Sequence, residues 1–234
     1  MNKYFIFLVG IIVGAFSFYL ATSVEIKTIS RANLGDEIPQ VTNPSPSPSA
    51  IPVDPWQKIV NDSSLSTVAI QSFQSGSLKK QGSGIMLSSD GLIVTVADIA
   101  VGPTVQVLYD DKIVQGAVIK KDKVNNLALV KIDGNNLSVS ALDNPNNYES
   151  GQEHILTGKL VDLSKITIFS QKALVKYVLE NKIILDTQST DNINGAKAVN
   201  HSGQITGMVY SKEGKVHLIK SSIISEFYNT SLNR

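Results

Sequence analysis

From residue 66 onward, short apolar runs alternate with turn signals. STVAIQSF (66–73), GIMLS (84–88), LIVTV (92–96), TVQVLY (104–109), IVQGAVI (113–119) and LALVKI (127–132) come first. Runs this short, recurring about every 8–12 residues, predict β-strands rather than helices. Ser89-Asp90-Gly91 and Tyr109-Asp110-Asp111-Lys112 are the turns between two pairs of them, with glycine supplying positive φ in the first. After residue 150 the pattern resumes with EHILTG, KITIFS, KALVKYVLE, KIILDT, AKAVN, QITGMVY and KVHLIK. It then changes period. In SSIISEFYN (221–229) a serine can cap a helix, and Ile223, Ile224, Phe227 and Tyr228 fall on one helical face. A dozen or so strands, a break near 143–151 and a terminal helix predict an all-β domain of two packed antiparallel six-stranded β-barrels. The first would span about 64–145, the second about 150–220 and the helix 221–229. Periodicity alone does not separate barrels from a sandwich.

The region before this domain has a different texture. Residues 4–24, YFIFLVGIIVGAFSFYLATSV, carry no charge. At a rise of about 1.5 Å per residue, such a helix spans a bilayer core of about 30 Å. The run reads as an N-terminal transmembrane anchor, with a signal peptide cut near Ala21-Thr22-Ser23 as the alternative. Lys3 ahead of it favours a cytoplasmic start and an extracytoplasmic C-terminal domain, although Lys27 and Arg31 dilute that bias. Residues 39–55 hold six of the eight prolines, and so predict an extended, semi-rigid Pro/Ser-rich spacer. The organisation is therefore anchor (1–25), linker (26–55) and domain (56–234).

Composition narrows the chemistry. Net charge is +1, with 21 basic and 20 acidic residues and no basic block, so nothing points to nucleic acid. Cysteine is absent, which excludes disulfides, thiol nucleophiles and thiolate metal sites. The three histidines, His154, His201 and His217, are scattered and lack metal-ligand spacing. No metal or cofactor is expected.

Three stretches then carry a resemblance. GSGIMLSSDGLIVTVADIA (82–100), DKVNNLALVKIDGNNL (122–137) and LDTQSTDNINGAKAVNHSGQITGMV (185–209) resemble, in order, the three catalytic segments of HtrA/Deg-type serine proteases of the chymotrypsin-like superfamily. The resemblance covers about residues 60–228 and implies the two-barrel fold. It fails where chemistry is done. The family's histidine aligns with Asp98, its aspartate with Asn126 and its serine with Asn194. The oxyanion-loop glycine aligns with Asn192. Gly195 is retained, and the glycine and proline after it become Ala196 and Lys197. A PDZ domain, which many members of that family carry, is not expected after the terminal helix.

A serine protease needs a nucleophile, a base working near neutral pH and a group that orients the base. An amide is a poor nucleophile, and an aspartate titrates about 2.5 units below imidazole. Loss of one triad serine or histidine costs on the order of 10⁶ in turnover. Here all three positions are exchanged, and no histidine precedes residue 154 to serve as a first-barrel base. The expectation is a membrane-anchored pseudoprotease that receives a peptide or protein in its inter-barrel cleft by strand addition. An active endopeptidase with another catalytic arrangement and a purely structural surface domain are the alternatives. Ser189, Thr190, His201 and Ser202 are the nearby hydroxyl and imidazole groups such an arrangement would draw on.

Overall fold

The computed structural model describes residues 55–143, 147–162, 165–179 and 182–232. The apolar run 4–24 and the spacer before Pro55 lie outside the described residues. Among the described residues no helix is long and apolar enough to cross a membrane.

Twelve strands form two closed barrels. The first contains β1 (Thr67–Gln74), β2 (Ser77–Met86), β3 (Leu92–Val96), β4 (Thr104–Tyr109), β5 (Lys112–Asp122) and β6 (Leu127–Lys131), hydrogen-bonded in the order β1-β2-β3-β6-β5-β4. The second contains β7 (Glu153–Asp162), β8 (Lys165–Leu179), β9 (Lys182–Asp186), β10 (Lys197–Val199), β11 (Ile205–Lys212) and β12 (Lys215–Lys220). Its order, β7-β8-β9-β12-β11-β10, repeats that of the first. Every pairing within the barrels is antiparallel. Closure leaves the sheets few free edges, which settles in favour of barrels what the strand period left open.

The strands follow from their sequences. LIVTV in β3 is buried at every position, because one face points into the barrel and the other packs outside it. The turn at Asp110 and Asp111 has φ of 44° and 59°, a conformation that short polar side chains tolerate and that matches hairpin twist. KITIFS and KALVKYVLE, read from the sequence as two runs, form the single strand β8. No glycine or proline interrupts them. The strand pairs with β7 over its first part and β9 over its second, with a register shift between Val175 and Tyr177.

Two helices bracket the barrels. Helix α1 (Pro55–Ser64) was not apparent in the sequence because it is only ten residues long and abuts the proline-rich stretch. Pro55 fits its first position, where no donor is required. Helix α2 (Ser221–Leu232) buries Ile224 and Phe227, as the helical face predicts, and extends three residues past position 229. One apolar cluster runs from the first barrel through Ile155, Val199, Ile205 and Met208 to α2, so the two barrels share a core. A second cluster, around Leu156, Ile183, Ile193 and Val209, fills the second barrel.

Candidate functional site

The cleft is built from three chain segments. β3 ends at Val96, and the following turn carries Asp98, which is exposed. The loop before β6 places Asn126 beside it: Asn126 Nδ2 donates to Asp98 Oδ2 at 3.1 Å. The Asp98 amide donates back to Asn126 Oδ1 at 3.2 Å, and the Ala97 amide donates to the Asn126 carbonyl at 3.0 Å. Asn126 has φ +55°, a left-handed conformation in which asparagine is one of the few comfortable residues. The pair is closed on itself.

The third segment is the 3-10 turn Asp191–Ile193, followed by Asn194. Asn194 Oδ1 accepts the Ser211 amide at 2.7 Å. Its carbonyl accepts the Ser83 amide at 2.9 Å, and its own amide points back to the Asp191 carbonyl at 3.4 Å. Gly195 follows with φ +79°, and a Cβ there would lie 1.9 Å from the Ser83 carbonyl oxygen. A Cβ on Gly82 would lie 2.4 Å from the Asn194 carbonyl oxygen. Both glycines are therefore fixed by close approach of the Asn194 loop to β2.

A cavity of about 260 Å³ opens here, lined by Asp98, Asn192 and Asn194 together with Leu78, Lys79, Lys80 and Gln81 of β2. The structure thus brings Asp98, Asn192 and Asn194 to one cavity, with Asn126 behind Asp98 and Gly195 behind Asn194. The wall from β2 has a further property. β2 pairs with β1 along its length, but with β3 only at Ile85 and Met86. Residues 77–81 consequently have one strand neighbour and one open edge beside the cavity, and from Gly82 onward the Asn194 loop covers it.

The histidines are elsewhere. His154 is completely buried with neither ring nitrogen in a hydrogen bond of normal geometry. Burial pushes its pKa below the ordinary imidazole value. His217 stacks on Tyr210 at 4.9 Å, and His201 lies 4.3 Å from Trp56 and 3.6 Å from Glu153. Ser189 is bonded to Ser211 at 2.6 Å between hydroxyls. Among the described residues no serine hydroxyl bonds a histidine, and no cluster of three or more His, Cys, Asp or Glu is arranged for a metal. Burial, and secondarily the Asp98 charge, raise the Tyr210 phenol.

One polar cluster escaped sequence reasoning. Lys197 of β10, at the position aligned with a proline, is fully buried. Its Nζ donates to Ser66 Oγ at 2.9 Å and Ser140 Oγ at 3.3 Å, and those two hydroxyls bond each other. Desolvation, with repulsion from Lys159, lowers its pKa to about 7. The sequence signal was there: AKAV places a lysine inside an apolar run, and β10 is buried at all three positions.

Two comparisons bear on this arrangement. No protein-family model matches the chain. A curated protein of Synechocystis sp., "Putative serine protease HhoB", is 30% identical over 138 residues, which is 54% of this chain and 33% of that protein. The chain therefore spans about a third of the length of the curated relative it matches. Among solved structures, the serine endoprotease from Yersinia pestis superposes with a TM-score of 0.66, at 18% identity, covering 79% of this chain and 68% of that one. The fold is that of a trypsin-like serine protease. The HtrA-type resemblance in the three quoted segments agrees with both findings, and the cleft residues sit at one cavity of that fold.

Proposed function

We propose that this protein is a membrane-anchored, extracytoplasmic member of the trypsin-like fold that does not cleave peptides and acts by binding them. One observation carries the reading: the cleft offers no nucleophile–base pair. The Asp98 carboxylate accepts from Asn126, the Asn126 side chain bonds back to the Asp98 amide, and Asn194 presents an amide held by Ser211. Nor is the second ingredient in place. Acyl transfer requires backbone N–H groups free to face a developing oxyanion, and the Asn194 amide is turned to Asp191 instead.

Binding needs less. The open edge at residues 77–81 lies beside a cavity, the arrangement that accepts an extended peptide as an added strand. Lys79 and Lys80 line that cavity together with Asp98 and Asp191, so it offers charges of both signs to a bound peptide. Anchoring rests on the uncharged run 4–24, and carbonate-resistant retention in membranes tests it.

The test of the main reading is one incubation with two readouts. Denatured casein is added to the protein, and a fluorophosphonate probe is added in parallel. Casein should stay intact while amide exchange at residues 77–81 slows, and no serine should take up the probe. Probe labelling abolished by changing one serine, with casein cleavage, would overturn the inactive reading. Intact casein with unchanged exchange would overturn the binding reading.

A further inference from the structure

β8 is longer than the sheet around it. β7 pairs with Lys165–Leu174 without a register shift, but β9 joins only from Leu174 to Leu179. Just before Leu174 the chain leaving β9 stands in for the missing strand. Thr187 Oγ1 donates to the Lys172 carbonyl at 3.3 Å, and Gln171 Nε2 donates to Thr187 Oγ1 at 2.8 Å. Residues 165–170, KITIFS, lie beyond that cover. They have β7 on one side and, among the described residues, no backbone hydrogen-bond partner on the other. Lys165, Thr167, Ile168 and Ser170 are exposed, Ile168 at 47%.

This edge lacks the devices that keep exposed edges single. It has no proline, no glycine and no bulge, and its one charge, Lys165, stands at its end. The open stretch of β2 differs. Lys79 and Lys80 sit within it, and its neighbour β1 shifts register between Ser72 and Phe73. An unblunted edge rich in β-branched residues is a template for another strand. Charge narrows which strand. The six residues hold no carboxylate and only a terminal lysine, so an uncharged, β-branched strand fits them, and KITIFS itself is such a strand.

We propose that the edge at residues 165–170 pairs with the same edge of a second copy of this chain, antiparallel about a two-fold axis through Thr167. Such an axis runs perpendicular to the sheet and keeps each face continuous, so residues an even number of steps apart meet. Thr167 then stands opposite its own counterpart, a favourable cross-strand pair. Ile166 of each copy meets Ile168 of the other, and four isoleucines gather on the face that now exposes Ile168, removing apolar surface from water. The two Lys165 residues lie four steps apart, about 13 Å along the strand, beyond the screening length of about 8 Å at physiological salt. Pairing consumes both open edges, so assembly closes at two copies and does not propagate. A single added strand is a small interface, which makes the dimer a weak, concentration-dependent one.

Because the chain lacks cysteine, Thr167→Cys places a single thiol on the proposed axis. Residues directly opposite in an antiparallel pair have Cα atoms about 4.5–5.5 Å apart, within reach of a disulfide. Under mild oxidation the full chain with this change should form a covalent dimer. Two other single-cysteine chains supply the controls. Ser170→Cys sets its two thiols six steps apart, about 20 Å, and Ile113→Cys lies on an exposed site of the first barrel. The yield at position 167 should exceed both on the order of tenfold, because registered thiols meet within the dimer and not by collision. Adding Ile168→Lys to Thr167→Cys blunts the edge at an exposed position and should remove the excess with the thermal midpoint unchanged. No excess at position 167 over the two controls overturns the pairing, as does an excess that survives Ile168→Lys. Amide exchange at residues 165–170 that slows with added casein, but not with rising protein concentration, would assign the edge to a foreign peptide and overturn the second-copy reading.

Discussion

Asn194 and Lys197 lie three residues apart in the chain, yet they belong to polar clusters of opposite character. Asn194 lines an open cavity with Asp98, where solvent and ligand can reach. Lys197 sits between Ser66 and Ser140 with no exposure at all. The group with the most shifted acid–base behaviour is thus the one a substrate cannot reach. The groups a substrate can reach are an amide and a carboxylate bonded to another amide. Perturbed titration often marks a functional cleft. In this molecule burial, reinforced by Lys159, produces it away from the cleft, which shows that a shifted pKa needs access before it implies chemistry.

The most severe way to break the comparison is at the residue between the clusters. Gly195→Ala puts a Cβ 1.9 Å from the Ser83 carbonyl at φ +79°, forcing apart the cleft loop and β2. We expect it to abolish folding of the domain. Gly203, with φ +75° but no atom nearer than 3.9 Å, supplies the control. Ala at that position should cost only about 1 kcal/mol, and urea titration separates the two. Equal losses would mean that close approach is not what selects Gly195.

Next comes the seam. A lysine whose pKa falls from 10.5 to about 7 on folding is neutral in the native state above pH 7, while the unfolded chain still binds the proton. The unfolded state therefore holds more protons between those values, and stability rises with pH across that window. Below pH 7 both states are protonated and this contribution stays flat. Lys159, lowered in the same direction by burial, adds to the slope with the same sign. Lys197→Met leaves Ser66 and Ser140 bonded to each other and should raise stability at pH 7 by about 2 kcal/mol, while flattening most of the rise toward pH 10. A steeper profile in the variant would contradict the assignment.

The smallest change sharpens the cleft side. Asn126→Ala removes both side-chain bonds to Asp98 and strains a φ of +55°. Asn126→Gly removes the same bonds without the strain. Thermal denaturation should show a loss of about 2 kcal/mol for alanine and about 1 kcal/mol for glycine, with casein left intact in both. Identical losses would show that conformation, not only hydrogen bonding, has been misjudged at Asn126.

Much of the architecture was legible before folding. Short apolar runs and turn residues announced the strands, and Ile224 and Phe227 announced the buried face of α2, because local periodicity records which side meets the core. The merged strand β8 was less legible, since a polar Gln171-Lys172 step looks like a boundary until the neighbouring strands are seen to continue across it. α1 was hidden by its brevity.

For the cleft, the sequence alone determined which functional groups exist: no histidine before residue 154, no cysteine anywhere, amides at positions 126 and 194. Side-chain chemistry is covalent and needs no fold to be read. Only the tertiary structure decided that Asp98 and Asn126 bond each other, that residues 77–81 keep an open edge, and that Lys197 is buried against two serines. Those facts depend on contacts between residues as far apart as 66 and 197, and on the water that closing two barrels removes from between them.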